Sequence, residues 1–129
     1  MDFTVTTSKA QELVDITYEV AKLVKDVKKG LCNVFVTHAT AAIVINENYD
    51  PNICTDFLDA LNKSFPDHAG YRHDLVDNNA GAHIKAALLG PSETIHIKDG
   101  KLVLGTWQSL MLVDLDGPKR RNIRVEIIS

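Results

Sequence analysis

Cysteine is scarce in this chain, and what is missing narrows its function before any motif is considered. Cys32 and Cys54 are too few for a disulfide framework, and neither has the Cys-x-x-Cys neighbour of a zinc or redox site. One lies in an apolar run and the other in a helical pattern, so both are expected as buried free thiols in a reducing compartment. A basic excess is missing too. The formal charge of −3 argues against a general nucleic-acid binder, which would need many phosphate contacts. The one basic cluster, Lys119-Arg120-Arg121, is long enough to hold a single phosphate. No apolar run approaches the ~20 residues of a membrane span, and the N-terminal residues lack a secretory signal's basic-then-apolar order. No membrane partner is expected, and the predicted location is cytoplasmic. Without repeats, low-complexity tracts or linkers, residues 1–129 read as one domain.

What is present is periodicity. Phe3, Val5 and Thr7 alternate with polar neighbours, which predicts an opening strand. From Ile16 the apolar positions Val20, Leu23, Val24 and Val27 follow a helical period, with Gly30 placed to end the helix. Leu31–Thr37 and Ala41–Asn46 are β-rich runs joined by His38-Ala39-Thr40. Asp50-Pro51 reads as an N-cap and first helical residue, and Ile53, Phe57, Leu58, Leu61 and Phe65 give that helix an apolar face. A polar segment from Pro66 to Asn79 precedes a second helix, about Ala80 to Leu89, stopped by Gly90-Pro91. The rest reads as β. Asp99-Gly100 is a hairpin turn between Thr94–Lys98 and Lys101–Leu104, Ser109–Leu115 is a further strand, and Ile123, Val125 and Ile127 alternate in the last one. Strands at both ends, with helices inserted in the first two-thirds, predict an α+β fold with a largely antiparallel core.

Chemistry concentrates at a few places. Leu104-Gly105-Thr106-Trp107-Gln108 is poor in the residues a plain strand uses, and a glycine before an aromatic–amide pair suggests a bulge or a close approach to the backbone. His38 ends a strand, His73 stands beside Asp74 in the polar segment, and His83 sits among small alanines that would let a ligand come near. Imidazoles suit proton transfer or metal binding. Their spacing matches no local zinc motif, so any metal site must be assembled by the fold. Glu47, in Asn46-Glu47-Asn48, is a candidate base or metal ligand, against its reading as part of a helix-capping turn. Asp56 falls one turn into the helix, where an acid helps the macrodipole, and Ser92 is a solvated turn residue or a phosphate donor. His68 and His96 read as exposed loop and hairpin residues.

Taken in order, these segments resemble the YjbQ family of small proteins, also described as secondary thiamine-phosphate synthases. The resemblance rests on His38-Ala-Thr-Ala-Ala-Ile, Ile-Asn-Glu-Asn at 45–48, Asp50-Pro51 and Tyr71-Arg-His-Asp74. It continues through Asn79, Ala82-His83-Ile-Lys-Ala86, Leu-Leu-Gly-Pro-Ser at 88–92, Gly100-x-Leu-x-Leu-Gly-Thr-Trp-Gln108 and Asp-Gly-Pro-Lys at 116–119. It implies a mostly antiparallel β-sandwich with helices packed on one side, assembled as a homotrimer with sites at or near subunit boundaries.

The implied reaction joins a pyrimidine-methyl diphosphate to a thiazole phosphate and releases pyrophosphate, as a secondary activity of a transferase. Its small phosphorylated metabolite needs a stabilised diphosphate, for which a divalent cation (Mg or Zn) is the candidate cofactor. On that reading His38, Glu47, His73 and His83 are the catalytic candidates, with the three histidines as metal ligands. Thr40, Asn46, Ser92, Thr106, Trp107, Gln108, Lys119 and Arg121 are the substrate-binding candidates, Trp107 by stacking on a developing cation. Two positions depart from the family. Ala39 removes a hydroxyl from the link after His38, and Lys119 replaces the usual Arg, losing a two-pronged phosphate contact. The alternatives are a trimeric phosphometabolite- or metal-binding protein without turnover and, third, a metal-dependent hydrolase.

Overall fold

Those patterns fold into eight strands and three α-helices in a computed structural model describing every residue, Met1 to Ser129. The strands are β1 (Asp2–Thr6), β2 (Glu12–Asp15), β3 (Lys29–Val36), β4 (Ala41–Asn46), β5 (Ser92–Lys98), β6 (Lys101–Leu102), β7 (Ser109–Asp114) and β8 (Arg120–Ile128). The helices are α1 (Thr17–Leu23), α2 (Pro51–Ser64) and α3 (Ala80–Leu89), with a short 3-10 turn at Arg72–Leu75 before α3. Five strands form one sheet in the order β1-β8-β3-β5-β6, three form another in the order β2-β7-β4, and every pairing is antiparallel.

The two sheets face each other across the main core. Val34 and Val36 of β3, Ile43 of β4, Leu110 and Leu112 of β7 and Ile123 and Val125 of β8 are buried there with Val20 of α1. Each such aliphatic side chain contributes about 1.5–3 kcal/mol by leaving water. The second face of the three-stranded sheet is covered as well. Ala42, Val44, Met111 and Val113 pack against Ala82 and Ala86 of α3 and the apolar stripe of α2. Covered on both faces, β7 reads Leu-Met-Leu-Val without alternation, as a doubly buried strand should. The result is an α+β antiparallel β-sandwich with α2 and α3 on one side.

Local signals explain most boundaries. Asp50 Oδ1 accepts from the Asn52 amide with Pro51 in the first turn of α2, as the Asp-Pro pair predicts. At the β5–β6 turn Asp99 and Gly100 both have positive φ, 51° and 75°, the conformation an Asp-Gly hairpin requires.

Three expectations need correction. The first helix stops at Leu23 rather than near Gly30, because the carbonyls of Val27 and Lys28 accept the amides of Gly100 and Asp99 from the hairpin tip. Gly30 lies inside β3, where a Cβ would strike the Ile128 carbonyl, so it permits strand packing instead of ending a helix. Cys54 is half-buried rather than buried, whereas Cys32 is fully enclosed. The edge strand β2 had no predicted counterpart.

Candidate functional site

Inner-face alternation along β7 and β8 brings two charges into one end of the sandwich. Asp114 follows Leu110 and Leu112 on the inner face, and Arg121 precedes Ile123 and Val125 there. Both are shielded from water. They meet in a two-pronged pair: Arg121 Nη2 donates to Asp114 Oδ1 at 2.6 Å and Nε to Oδ2 at 3.2 Å. The Thr7 hydroxyl donates to Asp114 Oδ2 at 2.6 Å, and the Asp116 amide donates to Oδ1 at 3.0 Å. Arg121 Nη2 also donates to Thr40 Oγ1 at 2.9 Å. Burial pushes the Asp114 carboxyl up, but the hydrogen bonds from Arg121, Thr7 and Asp116, with the Arg121 charge, outweigh it and hold the group below the usual carboxylate range. Arg121 and Thr40, both expected at substrate, are therefore committed to an internal network.

The surface of this network carries three further groups. Lys119 Nζ donates to Asp116 Oδ2 at 2.9 Å, and Asn79 Nδ2 donates to the same oxygen at 3.1 Å. Asn79 Oδ1 is buried with no donor, an open acceptor at the start of α3. His38 Nε2 accepts the Asn122 amide at 2.9 Å, which fixes that nitrogen unprotonated. Partial burial, then the Arg121 and Lys119 charges, depress the His38 pKa against an opposing pull from Asp114.

The other two candidate histidines, His73 and His83, come together. Asp74 Oδ1 accepts the Ala80 amide at 2.9 Å, which ties the 3-10 turn to the first residue of α3. That places His73 and His83 ring to ring, centroids 5.0 Å apart and planes at 86°. His73 Nε2 is 3.6 Å from Asp77 Oδ2. Both imidazoles line a cavity of about 420 Å³ with Tyr71, Ala80 and Ile84. The alanines near His83 divide their work: Ala82 and Ala86 pack α3 on the sheet, and Ala80 opens the cavity.

A third group surrounds Trp107. Residues 105–108 form a turn, not a strand: the Gln108 amide donates to the Gly105 carbonyl and Gln108 Oε1 accepts the Gly105 amide at 2.7 Å. Thr106 is exposed on the same turn. Trp107 stands 61% exposed, edge-to-face on Tyr49 with centroids 5.4 Å apart. Glu47 Oε2 accepts the amides of Tyr49 and Asp50, so its carboxylate shapes the turn into α2. Asn46 Oδ1 accepts the Glu47 amide. Ser92 begins β5 opposite Phe35 and makes no side-chain hydrogen bond.

Thus the fold unites His73 with His83 and Thr40 with Arg121, whereas His38 is held separately by Asn122. No three His, Cys, Asp or Glu side chains of one chain converge as a cation's ligands would. Asp114, Tyr49 and Lys85 escaped the sequence reading. Asp114 was signalled only as a charge ending an apolar run, and Lys85, fully buried, donates to Asn62 Oδ1 and Asp67 Oδ1 beneath α3. No helix is long and apolar enough to cross a membrane.

The fold and site define a small helix-flanked β-sandwich with a histidine-lined cavity and an internal Asp–Arg network. Known proteins share that fold. The family model for UPF0047 protein YjbQ-like chains matches residues 1–129. A UPF0047 protein of Methanocaldococcus jannaschii is 42% identical over 98% of this chain and 91% of its own. UPF0047 protein YugU of Bacillus subtilis is 34% identical over 95% and 93%. A crystal structure of an uncharacterised YjbQ/UPF0047 protein from Clostridium acetobutylicum superposes with a TM-score of 0.95 at 44% identity, covering 99% of each chain. A YbjQ-like protein of unknown function from Sulfolobus solfataricus gives 0.94 at 42%, covering 98% and 94%. The chain belongs to the YjbQ/UPF0047 family.

Proposed function

We propose that the protein joins a pyrimidine-methyl diphosphate to a thiazole phosphate, forming thiamine phosphate and releasing pyrophosphate, and that it does so as a homotrimer. The observation that carries this reading is the His73–His83 pair lining one cavity beside Tyr71. In the reaction the thiazole nitrogen bonds to the pyrimidine methylene carbon as the carbon–oxygen bond to diphosphate breaks, and the leaving oxygen takes the electron pair. Two adjacent imidazoles suit that departure, since a protonated ring can donate to the oxygen that gains charge. Lys119, held by Asp116 on the β7–β8 turn, is the candidate cation for the diphosphate. The exposed Trp107–Tyr49 pair offers an aromatic face for the cationic methylene carbon. The reading requires the aromatic turn of one copy to meet the histidine cavity of its neighbour. A divalent cation at the diphosphate would lack a complete set of protein ligands within one chain, so no step is assigned to it.

The second reading is a phosphometabolite-binding protein without turnover. It is favoured by the commitment of Glu47 to backbone amides and by the burial of Arg121 on Asp114, which occupies one carboxylate and takes one guanidinium off the surface. Pyrophosphate release from the two precursors, measured with and without Mg²⁺ or Zn²⁺, separates the two. Turnover that falls about 10²–10⁴-fold in His83→Ala supports the enzyme, in line with the usual worth of a general acid. Tight binding of the precursors with no release under any metal supports the second reading.

A further inference from the structure

At the end of the five-stranded sheet away from His38, the fold gathers like charges that no ion pair engages. Lys29 is the first residue of β3 and His38 lies just beyond its last, so the two ends are separated by about 26 Å of strand at 3.3 Å per residue. The β5–β6 hairpin tip docks on the segment after α1, the Asp99 amide donating to the Lys28 carbonyl at 2.7 Å and the Gly100 amide to Val27 at 2.9 Å. This brings Lys98 and Lys101 against Lys22, Lys25, Lys28 and Lys29. Six of the chain's ten lysines thus stand together, with only Asp26 and Asp99 in the same segments, on a molecule whose net charge is −3. None of the six is within ion-pair distance of a carboxylate. Lys29 and Lys98 are directly opposed in register, an arrangement that costs stability in a sheet.

Between these lysines lies a cleft of about 530 Å³ on the outer sheet face, which no helix covers. Its apolar surface comes from Leu31 and the 54% exposed Val103, and its rim carries three lysines, Lys28, Lys29 and Lys98, against one carboxylate, Asp99, with His96 beside them. Its volume is within the range of small-molecule sites. An apolar surface rimmed by unpaired ammonium groups complements one ligand chemistry: an apolar body ending in a phosphate. We propose that this cleft binds a small amphiphilic phosphate, its apolar part on Leu31 and Val103 and its phosphate among Lys28, Lys29 and Lys98. The site shares no residue with the histidine cavity and does not depend on the reaction proposed there.

Calorimetric titration of the intact protein with monomeric octyl phosphate tests this, alongside inorganic phosphate and octanol. Octyl phosphate is expected to bind at least tenfold more tightly than either, more weakly as salt is raised, and to shift the amide resonances of Gly30, Leu31 and Val103. Lys98→Glu keeps the sheet, because it pairs with Lys29 across the strands, and is expected to weaken binding at least tenfold. Lys63→Glu on α2 is expected to leave binding unchanged. Equal affinity for the three probes, unaltered binding by Lys98→Glu, or shifts around His73 and His83 instead would overturn the proposal. So would binding to anionic vesicles alone, which would make this end a membrane-facing surface.

Discussion

Asp114 and Arg121 show how a single pair can be structural where its composition suggests a binding site. Isolated guanidinium groups near a Gly-Pro-Lys turn invite a phosphate, yet Arg121 is buried against Asp114 and Thr40. Removing one partner leaves a buried charge alone. Arg121→Ala is therefore expected to lower the unfolding free energy by about 3–5 kcal/mol in urea titrations, whereas Arg121→Met combined with Asp114→Leu costs far less. The pH dependence follows from the same contacts. The folded Asp114 pKa is depressed, so its contribution is complete above the unfolded value of about 3.9 and is lost as pH falls through the folded value. Thermal stability should begin to drop below pH ~4, and should drop less in the double variant that lacks both charges. His38 has the same sign at a higher pH, its neutral form being favoured by burial and by the Asn122 amide it accepts. An NMR titration should place its midpoint under the ordinary value of about 6.5. A midpoint above that value would refute the geometry given for the ring.

Gly100 and Gly30 carry the lesson at the scale of elements. Gly100 has a positive φ, and a Cβ there would meet the Lys25 carbonyl, so Gly100→Ala should cost about 1–2 kcal/mol from the backbone conformation alone, and more from the clash. Gly90→Ala meets no clash, but φ 93° and ψ 148° is a conformation glycine alone adopts readily, so it should cost about 1–3 kcal/mol from backbone strain, and chemical denaturation of the two variants compares strain with and without a clash. The hairpin itself was legible because Asp-Gly demands its turn locally, and so was α2, whose Asp50-Pro51 start and apolar stripe are properties of adjacent residues. Gly30 was not. Its role depends on the Ile128 carbonyl, almost a hundred residues away, and a glycine after an apolar helical pattern looks the same whether it ends a helix or admits a strand. Likewise the end of α1 is decided by hairpin amides that bond Val27 and Lys28, not by any residue of α1. The histidines show the same division. Their chemistry was readable one by one, but that His73 faces His83 while His38 binds Asn122 is set by the 3-10 turn and by β8.

For the whole molecule, three clusters have to be explained together: the histidine cavity, the Asp116–Lys119–Asn79 surface and the exposed Trp107–Tyr49 turn. Trp107 and Tyr49 are large rings left in water by one chain, a feature that marks interaction or binding surfaces. The trimer proposed above predicts a threefold mass by light scattering at micromolar concentration, and Trp107→Ala should weaken assembly or turnover without lowering the stability of the isolated chain. The most direct test of the central claim is pyrophosphate release by the purified protein from the pyrimidine-methyl diphosphate and thiazole phosphate, compared across His73→Ala, His83→Ala and Asp59→Ala on the exposed face of α2. The account predicts release by the parent protein and Asp59→Ala, and a loss of about 10²–10⁴-fold in each histidine variant. Undiminished release by His73→Ala and His83→Ala, or no release by the parent under any metal, would contradict it.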